Sequence, residues 1–387
     1  DCLLSRGLGD VYKRQDDTPF DLADALKRLR ELDEDVRLGP STGSIVNAAT
    51  ARNIPYRRLT QGSMVQFGWG SKQRRIQAAE TDLTSAISES IAQDKDLTKM
   101  LLDAAGVPVP LGRSVTTAED AWAAAQELGG PVVVKPRDGS QGRGVAVNIE
   151  TRERVIQAFE VAEEISSEVI VERYIPGHDF RLLVVGGALV AASRRDPPQV
   201  TGDGVQTIRQ LVDQVNADPL RGDGHATSLT KIRFDDIALA TLKKQGFDAD
   251  SVPPPGTLIF LRNNANLSTG GSATDVTDEV HPEMAARAVS AARMIGLDIC
   301  GVDVVAESVH YPLEEQHGGV VEVNAAPGLR MHLNPSFGKG RAVGEAIIAN
   351  MYADGDDGRI PVVAVAGTNG KTTTCLLYTS PSPRDKR

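Results

Sequence analysis

The sequence predicts a mixed fold, α/β or α+β, of two or three domains. Short apolar runs bounded by glycine alternate with stretches of helical period through most of the chain. The 387 residues exceed one ordinary domain, which takes roughly 100–200. With 41 % hydrophobic and 24 % charged residues, the chain has the balance of a folded globular protein. The same composition excludes several classes of function. The 42 Lys+Arg against 52 Asp+Glu leave a net charge of −10, which speaks against general polyanion binding, so no nucleic-acid partner is expected. Aromatics at 4 % give no stacking platform for single strands. Three cysteines make no disulfide framework and fit a reducing cytoplasm. No run approaches the ~18 apolar residues of a membrane span, and no secretory signal opens the chain.

Element by element, residues 1–15 and 375–387 carry no period continuous with their neighbours and read as non-native tails. That leaves Cys300 as the one native cysteine, a core residue by its apolar flanks. An N-terminal domain is expected over 16–92, with a helix over Asp21–Leu32, a turn-rich loop from Gly39 to Pro55 leading into a short helix, and a helix over Thr81–Asp94. A second domain is expected over 93–358. It opens with a helix through Ala105, followed by strands at 131–135 and 145–149 paired as a hairpin. A helix over Arg152–Ile165, a strand over Glu168–Glu172 and a second hairpin over Phe180–Ala192 come next, then a helix over Thr207–Asn216. Pro253-Pro254-Pro255 marks a break or stiff loop. Pro282–Gly296 is a helix, Ile299–Val305 and Gly319–Asn324 are strands, and residues 359–374 begin a further module with a buried strand at 360–366.

The sharpest chemistry lies at 303–324. Side chains two apart in a strand share a face, so Glu322 and Asn324 point together. Asp303, flanked by Val302 and Val304, joins them if the two strands pair. Two carboxylates and an amide oxygen form an oxygen-only set suited to Mg2+. The flanking valines demand burial, and a buried carboxylate needs a cation.

Lys135 ends an apolar strand, and Gly139, Gly142 and Gly144 follow it in a loop whose backbone N–H groups suit phosphate. Glu172, Arg173, Tyr174 and Ile175 end another strand, whose backbone would read an adenine edge. Asp179 follows within reach of ribose hydroxyls.

In this order, the residues resemble the ATP-grasp ligase superfamily and, within it, the cyanophycin synthetases. The resemblance covers residues 38–374 and rests on GPSTGSIVNAA, DKDLTKMLLDAAGVPVP, VVVKPRDGSQGRGV, VIVERYIPGHDFRLLVV, GDGVQTI, LRNNANLSTGGSATDVTDEVHP and VVEVNAAPGLRMH. It implies an ATP-grasp fold behind a small α/β N-terminal region, with ATP and Mg2+ as cofactors. Lys95 and Lys135 would hold phosphates, Arg262 would face the reacting phosphate and carboxylate, and Asn266 and Ser268 would contact substrate. The implied reaction forms an acyl phosphate from the C-terminal carboxylate of a poly-aspartate backbone. The amine of aspartate then attacks it. Aspartate and a cyanophycin primer are the implied partners, arginine a third in the full-length enzyme, with homo-oligomeric assembly.

Anionic substrates call for cations. Arg181 and Arg330 are the candidate carboxylate clamps, since a guanidinium binds carboxylate with two parallel bonds. At 360–374, IPVVAVAGTNGKTTT places Gly367, Gly370, Lys371 and Thr372 in a phosphate loop after a strand. Val365 stands where the general pattern has its first glycine, and the shorter form resembles Mur peptide ligases, implying the start of an arginine-adding module. The pattern departs from the family at Ser140-Gln141, near where a histidine is usual. Competing readings are a glutathione- or D-alanine-type ligase and a non-catalytic nucleotide-binding remnant.

Overall fold

The computed structural model describes residues 21–137, 144–222 and 229–379. The chain opens with helices α1 (Leu22–Val36) and α2 (Pro40–Ala51). Residues 40–51 are helical throughout, which corrects the expected turn-rich loop. Pro40 occupies the first helical turn, where its missing N–H costs nothing, and Ile45, Val46, Ala48 and Ala49 bury one face. Tertiary burial here overrides the weak helix propensity of Ser, Thr and Gly. Strands β1 (Tyr56–Arg58), β2 (Met64–Phe67), β3 (Arg74–Gln77) and β4 (Glu80–Thr81) follow as an antiparallel meander. The helix expected from Thr81 starts only at Ala86 as α3 (Ala86–Gln93), because Ser85 accepts the Ser88 N–H and caps it. Asp94 separates α3 from α4 (Lys95–Ala104) and accepts the N–H groups of Asp96 and Leu97.

A four-stranded sheet comes next, built from β5 (Gly112–Val115), α5 (Ala118–Leu128), β6 (Val132–Pro136), β7 (Ala146–Ile149), α6 (Arg152–Glu163) and β8 (Val169–Arg173). Its order is β5-β8-β6-β7, all antiparallel, and β6 and β7 pair as expected. Both helices cover one face. Ala121, Ala124, Val155 and Phe159 pack against Val132, Val134, Val169 and Val171.

The central sheet starts with β9 (His178–Val185) and β10 (Ala188–Asp196). An excursion leaves it through β11 (Gln199–Thr201), α7 (Ile208–Asn216), the short strands β12 (Arg221–Gly222) and β13 (Leu229–Thr230), α8 (Asp236–Lys244) and β14 (Leu258–Phe260). This excursion has its own small core of Val200, Ile208, Leu211, Leu242, Ile259 and Leu261. The chain returns with β15 (Ser272–Asp275), α9 (Pro282–Ile295), β16 (Ile299–Ala306) and β17 (Gly319–Asn324). The five-stranded order is β15-β10-β9-β16-β17, again antiparallel. It ends with α10 (Arg330–Leu333), α11 (Val343–Met351) and α12 (Lys371–Thr379).

Each face of the central sheet has its own cover. On one, Leu182, Val184, Val302 and Val304 meet Met284, Ala288 and Ile295 of α9, with Cys300 buried among them as expected. On the other, Leu183, Val185 and Ala191 meet Ile45 of α2 and Ile347 and Ile348 of α11. The N-terminal segment therefore shares a core with the central sheet. Gly344 lets α11 approach α2, since a Cβ there would stand 2.6 Å from the Ser44 backbone oxygen.

The strand expected at 360–366 does not form. Residues 361–366 carry no regular structure and are exposed, with Val362 at 84 %. Its valines find no neighbouring strand among the described residues, so the period of the sequence has nothing to pair with. Among the described residues no helix is long and apolar enough to cross a membrane.

Candidate active site

Glu172 lies near the end of β8 and anchors a buried pair of lysines. Its carboxylate is 3 % exposed and holds two lysines, Lys99 of α4 on Oε1 and Lys135 of β6 on Oε2 at 2.9 Å. Burial resists ionisation most strongly, but Lys135 and Lys99 outweigh it and hold the Glu172 carboxyl below its ordinary range. Burial, partly offset by Glu172, lowers the Lys99 ammonium. The sequence reading named Lys95 here and missed Lys99. The signal was present, because Lys95 and Lys99 are one turn apart on α4. Lys95 instead lines a narrow recess with Lys99, Val321 and Glu322.

This geometry corrects the adenine-edge expectation in part. The Glu172 side chain is committed to the lysines. The Arg173 N–H donates to the Leu111 carbonyl at 2.7 Å and the Tyr174 N–H to the Pro131 carbonyl at 2.8 Å. Those two donors are spent within the protein, which leaves the Arg173 carbonyl and the Ile175 amide for an edge. Of the loop glycines, Gly139 and Gly142 lie outside the described residues. Gly144 has φ +68°, and a Cβ there would fall 2.6 Å from Ile165.

Beyond the recess opens a cavity of about 920 Å³. Asp179, Arg181, Asp303, Glu322 and Asn324 line its sheet side, with Asn266, Ser268 and Arg330 also on the wall. Ser41 and Thr42 at the start of α2 close it from the N-terminal segment, and Ser41 accepts the Leu329 N–H at 3.0 Å. The expected strand pairing is present: β16 and β17 are antiparallel, with Asp303 opposite Glu322 and Gly301 opposite Asn324.

Asp303 is not open to the cavity as a lone carboxylate. It is 4 % exposed and carries two arginines. Arg181 grips it with Nε and with Nη2, the latter at 3.0 Å, and Arg195 Nη2 lies 3.2 Å from Oδ2. Burial opposes its charge, and the two guanidinium groups more than compensate, so the carboxyl sits below its usual range. Arg181, read as a substrate clamp, is thus engaged by the protein's own aspartate. Gly301 makes room for it, because a Cβ there would stand 3.1 Å from Arg181 Nη1. Asp179, facing the same cavity, is pushed upward by burial. His332 is buried, shares a hydrogen bond with Ser193 at 3.0 Å, and is held neutral by burial, its pKa pushed down to about 3.

Three further placements bear on the expected site. Arg262 pairs with Asp235, the residue that caps α8, and does not line the cavity. Its neighbours Asn264–Ser268 do. Arg330 Nη2 donates to Thr230 Oγ1 at 3.1 Å. Gly367, Gly370, Lys371 and Thr372 are exposed at the start of α12, and Lys371 Nζ turns back onto the Gly367 carbonyl. The donor set Asp303, Glu322 and Asn324 is all oxygen and lines one cavity, which suits a magnesium ion by chemistry, with both Asp303 oxygens engaged by Arg181 and Arg195 in this structure.

The ATP-grasp domain family matches residues 88–184. The cyanophycin synthetase of Synechocystis sp. is 47 % identical over 355 residues, which is 91 % of this chain and 41 % of that protein. That of Trichormus variabilis is 45 % identical over 358 residues, 92 % of this chain and 40 % of its own length. A glutathione biosynthesis bifunctional protein of Clostridium perfringens is 32 % identical over 82 % of this chain. The crystal structure of a bifunctional glutathione synthetase from Pasteurella multocida shares the fold with a TM-score of 0.64 at 32 % identity, covering 82 % of this chain and 44 % of that one. The chain spans about two-fifths of the length of the curated relatives it matches. It has the ATP-grasp fold, and over nine-tenths of its length its sequence is similar to cyanophycin synthetases.

Proposed function

We propose that the chain uses ATP to activate a carboxylate and passes the acyl group to an amine. The observation that carries this reading is the position of Glu322. It lines both the recess that holds Lys95 and Lys99 and the cavity that holds Asp303, Asn324 and Arg181. On this reading a phosphate-binding side and a carboxylate-binding side meet at one residue. A carboxylate is a poor electrophile, and phosphorylation activates it. The entering phosphoryl group brings charge that fixed cations must neutralise. Lys95, Lys99 and Lys135 supply it on one side. Asp303, Glu322 and Asn324 would hold magnesium, which supplies charge neutralisation at the phosphates when bound. The Arg173 carbonyl and Ile175 amide would take the adenine edge, with Asp179 on the ribose.

The substrate pair we infer is the C-terminal carboxylate of a poly-aspartate primer and the amine of aspartate. The support is the similarity to cyanophycin synthetases, together with Arg181, Asn266, Ser268 and Arg330 at the cavity. Arginine attachment would belong to a Mur-type module beginning at Gly367–Thr372. The test is ADP release by the protein with ATP and Mg2+, with and without aspartate and a cyanophycin primer. Release that needs both supports the reading. A glutathione-type ligase, favoured by the 32 % identity over 82 % of the chain, would respond instead to γ-glutamylcysteine and glycine. Nucleotide binding without turnover on either pair would leave a binding module.

A further inference from the structure

Arg195 enters no role above, and its surroundings are unusual. Its side chain is 9 % exposed, it lines the large cavity, and one of its nitrogens contacts Asp303. Its Nε–H has no hydrogen-bond partner among the described residues, although it is buried. A buried donor left unpaired is costly, and such a group calls for a partner that the ligand-free protein lacks. The pairing pattern agrees. Two buried guanidinium groups share one directly paired carboxylate, Asp303, while Asp179 and Glu322 act on them only at longer range from the cavity wall. Meanwhile Asp303 cannot offer its oxygens freely to a cation, because both face arginines. Across the strand pair, Glu322 and Asn324 face the same cavity.

We propose that Arg181 and Arg195 form an exchangeable clamp. Without ligand they hold Asp303. When a carboxylate enters the cavity, its oxygens take over the two guanidinium forks, including the idle Nε–H of Arg195, and Asp303 turns to a divalent cation beside Glu322 and Asn324. Asp303 thereby stands in for the substrate carboxylate in the free protein. This inference rests on reading the cavity as a carboxylate and cation site, and it adds a prediction of its own: the two ligands must tighten each other. Coupling between sites is reciprocal and commonly about 5- to 150-fold.

The experiment uses the full chain without nucleotide. Mn2+ is titrated in and its free concentration followed by electron paramagnetic resonance, against a protein-free blank containing the same L-aspartate. Saturating L-aspartate should tighten Mn2+ about tenfold. Mn2+ should tighten L-aspartate by the same factor, and aspartic diamide, which lacks carboxylates, should do nothing. Arg195→Gln removes one of the two holds on Asp303. Mn2+ alone should then bind several-fold tighter than to the parent, and the coupling should fall below about twofold. Arg195→Lys keeps the charge without the fork, so Mn2+ alone should bind as weakly as to the parent. Equal Mn2+ affinity with and without L-aspartate in the parent, or full coupling in Arg195→Gln, would overturn the clamp. The parent measurement decides the matter even if the glutamine variant fails to fold. Coupling without ATP turnover would keep the clamp and sink the ligase reading; turnover without coupling would do the reverse.

Discussion

Asp303 and Glu322 face each other across β16 and β17, yet only one of them is directly paired. Asp303 is buried and doubly held by arginines, whereas Glu322 makes no ion pair or hydrogen bond among the described residues. A carboxylate kept unpartnered beside another is poorly explained by stability alone. We expect Glu322→Gln to fold normally, with a Tm equal to or above the parent's, because it removes a like charge from the cluster. The same variant should lose ATP turnover in the presence of aspartate and primer. ADP release at the parent rate would show that Glu322 holds no catalytic cation.

Lys135→Ala should raise the KM for ATP and lower kcat together. The lysine is the second-to-last residue of β6 and pairs with a carboxylate that has no solvent to turn to. Its loss leaves Glu172 with Lys99 alone, so stability should also drop by about 1–3 kcal/mol, the cost of under-satisfying a buried polar group. Steady-state kinetics and a chemical melt check the two halves separately. Unchanged nucleotide affinity would place Lys135 outside the phosphate site.

Glu172 also sets an acid limit. Its folded carboxyl titrates below its ordinary value of 4.5, so the stability it lends is fully present above that pH. As pH falls from 4.5 through the lowered folded value, the proton binds the unfolded chain first and the contribution is lost. Glu172→Gln should therefore be less stable than the parent near neutrality, and the gap should narrow as the pH drops below 4.5. Melts at several pH values measure it. A gap that stays constant down to pH 3 would contradict the lysine–glutamate account.

The approach of α2 and α11 is open to a purely steric test. Gly344→Ala places a methyl 2.6 Å from the Ser44 carbonyl oxygen and 2.7 Å from its carbon. Both are backbone atoms, so no side chain can swing aside. The helices must separate, at about 1–3 kcal/mol, and the cavity wall at Ser41 and Thr42 moves with α2. Urea unfolding reports the loss of stability, and an unchanged midpoint would mean that the two helices do not touch there.

What the sequence made legible follows from local signals. Runs such as Val132–Lys135 and Ile299–Val305 announce buried strands, and Pro282 with Gly296 brackets a helix. The meander β1–β4 escaped because its strands are two to four residues long and rich in exposed arginine; only Val65, Phe67, Ile76 and Thr81 are buried in them. The start of α2 was misread because its helix is fixed by burial against β9 and α11, each more than a hundred residues away. At the site, residue types and strand faces brought Asp303, Glu322 and Asn324 to paired strands lining one cavity. The grip of Arg181 and Arg195 on Asp303 spans more than a hundred positions in the chain, and no spacing rule reports it.

The exposed tail gives the last test. A phosphate loop works when a strand seated in a sheet and a following helix hold its backbone N–H groups toward the anion. Here α12 is present, but residues 361–366 join no strand, and residues 361–377 are exposed throughout. The Lys371 ammonium, which would meet phosphate, is bonded to its own loop at Gly367 and Thr368. Ile360 is the last anchor, since its side chain packs on Gly70, where a Cβ would stand 2.4 Å away. Truncation after Ile360 should therefore leave the Tm within about a degree of the parent and leave ATP turnover with aspartate and primer unchanged, because a segment that buries nothing contributes little to folding. Labelled arginine, supplied with ATP, Mg2+ and an aspartate-extended primer, should not be incorporated by either the full chain or the truncated one. Stoichiometric arginine incorporation that disappears on truncation would show that Gly367–Thr372 already works as a second nucleotide site within these residues.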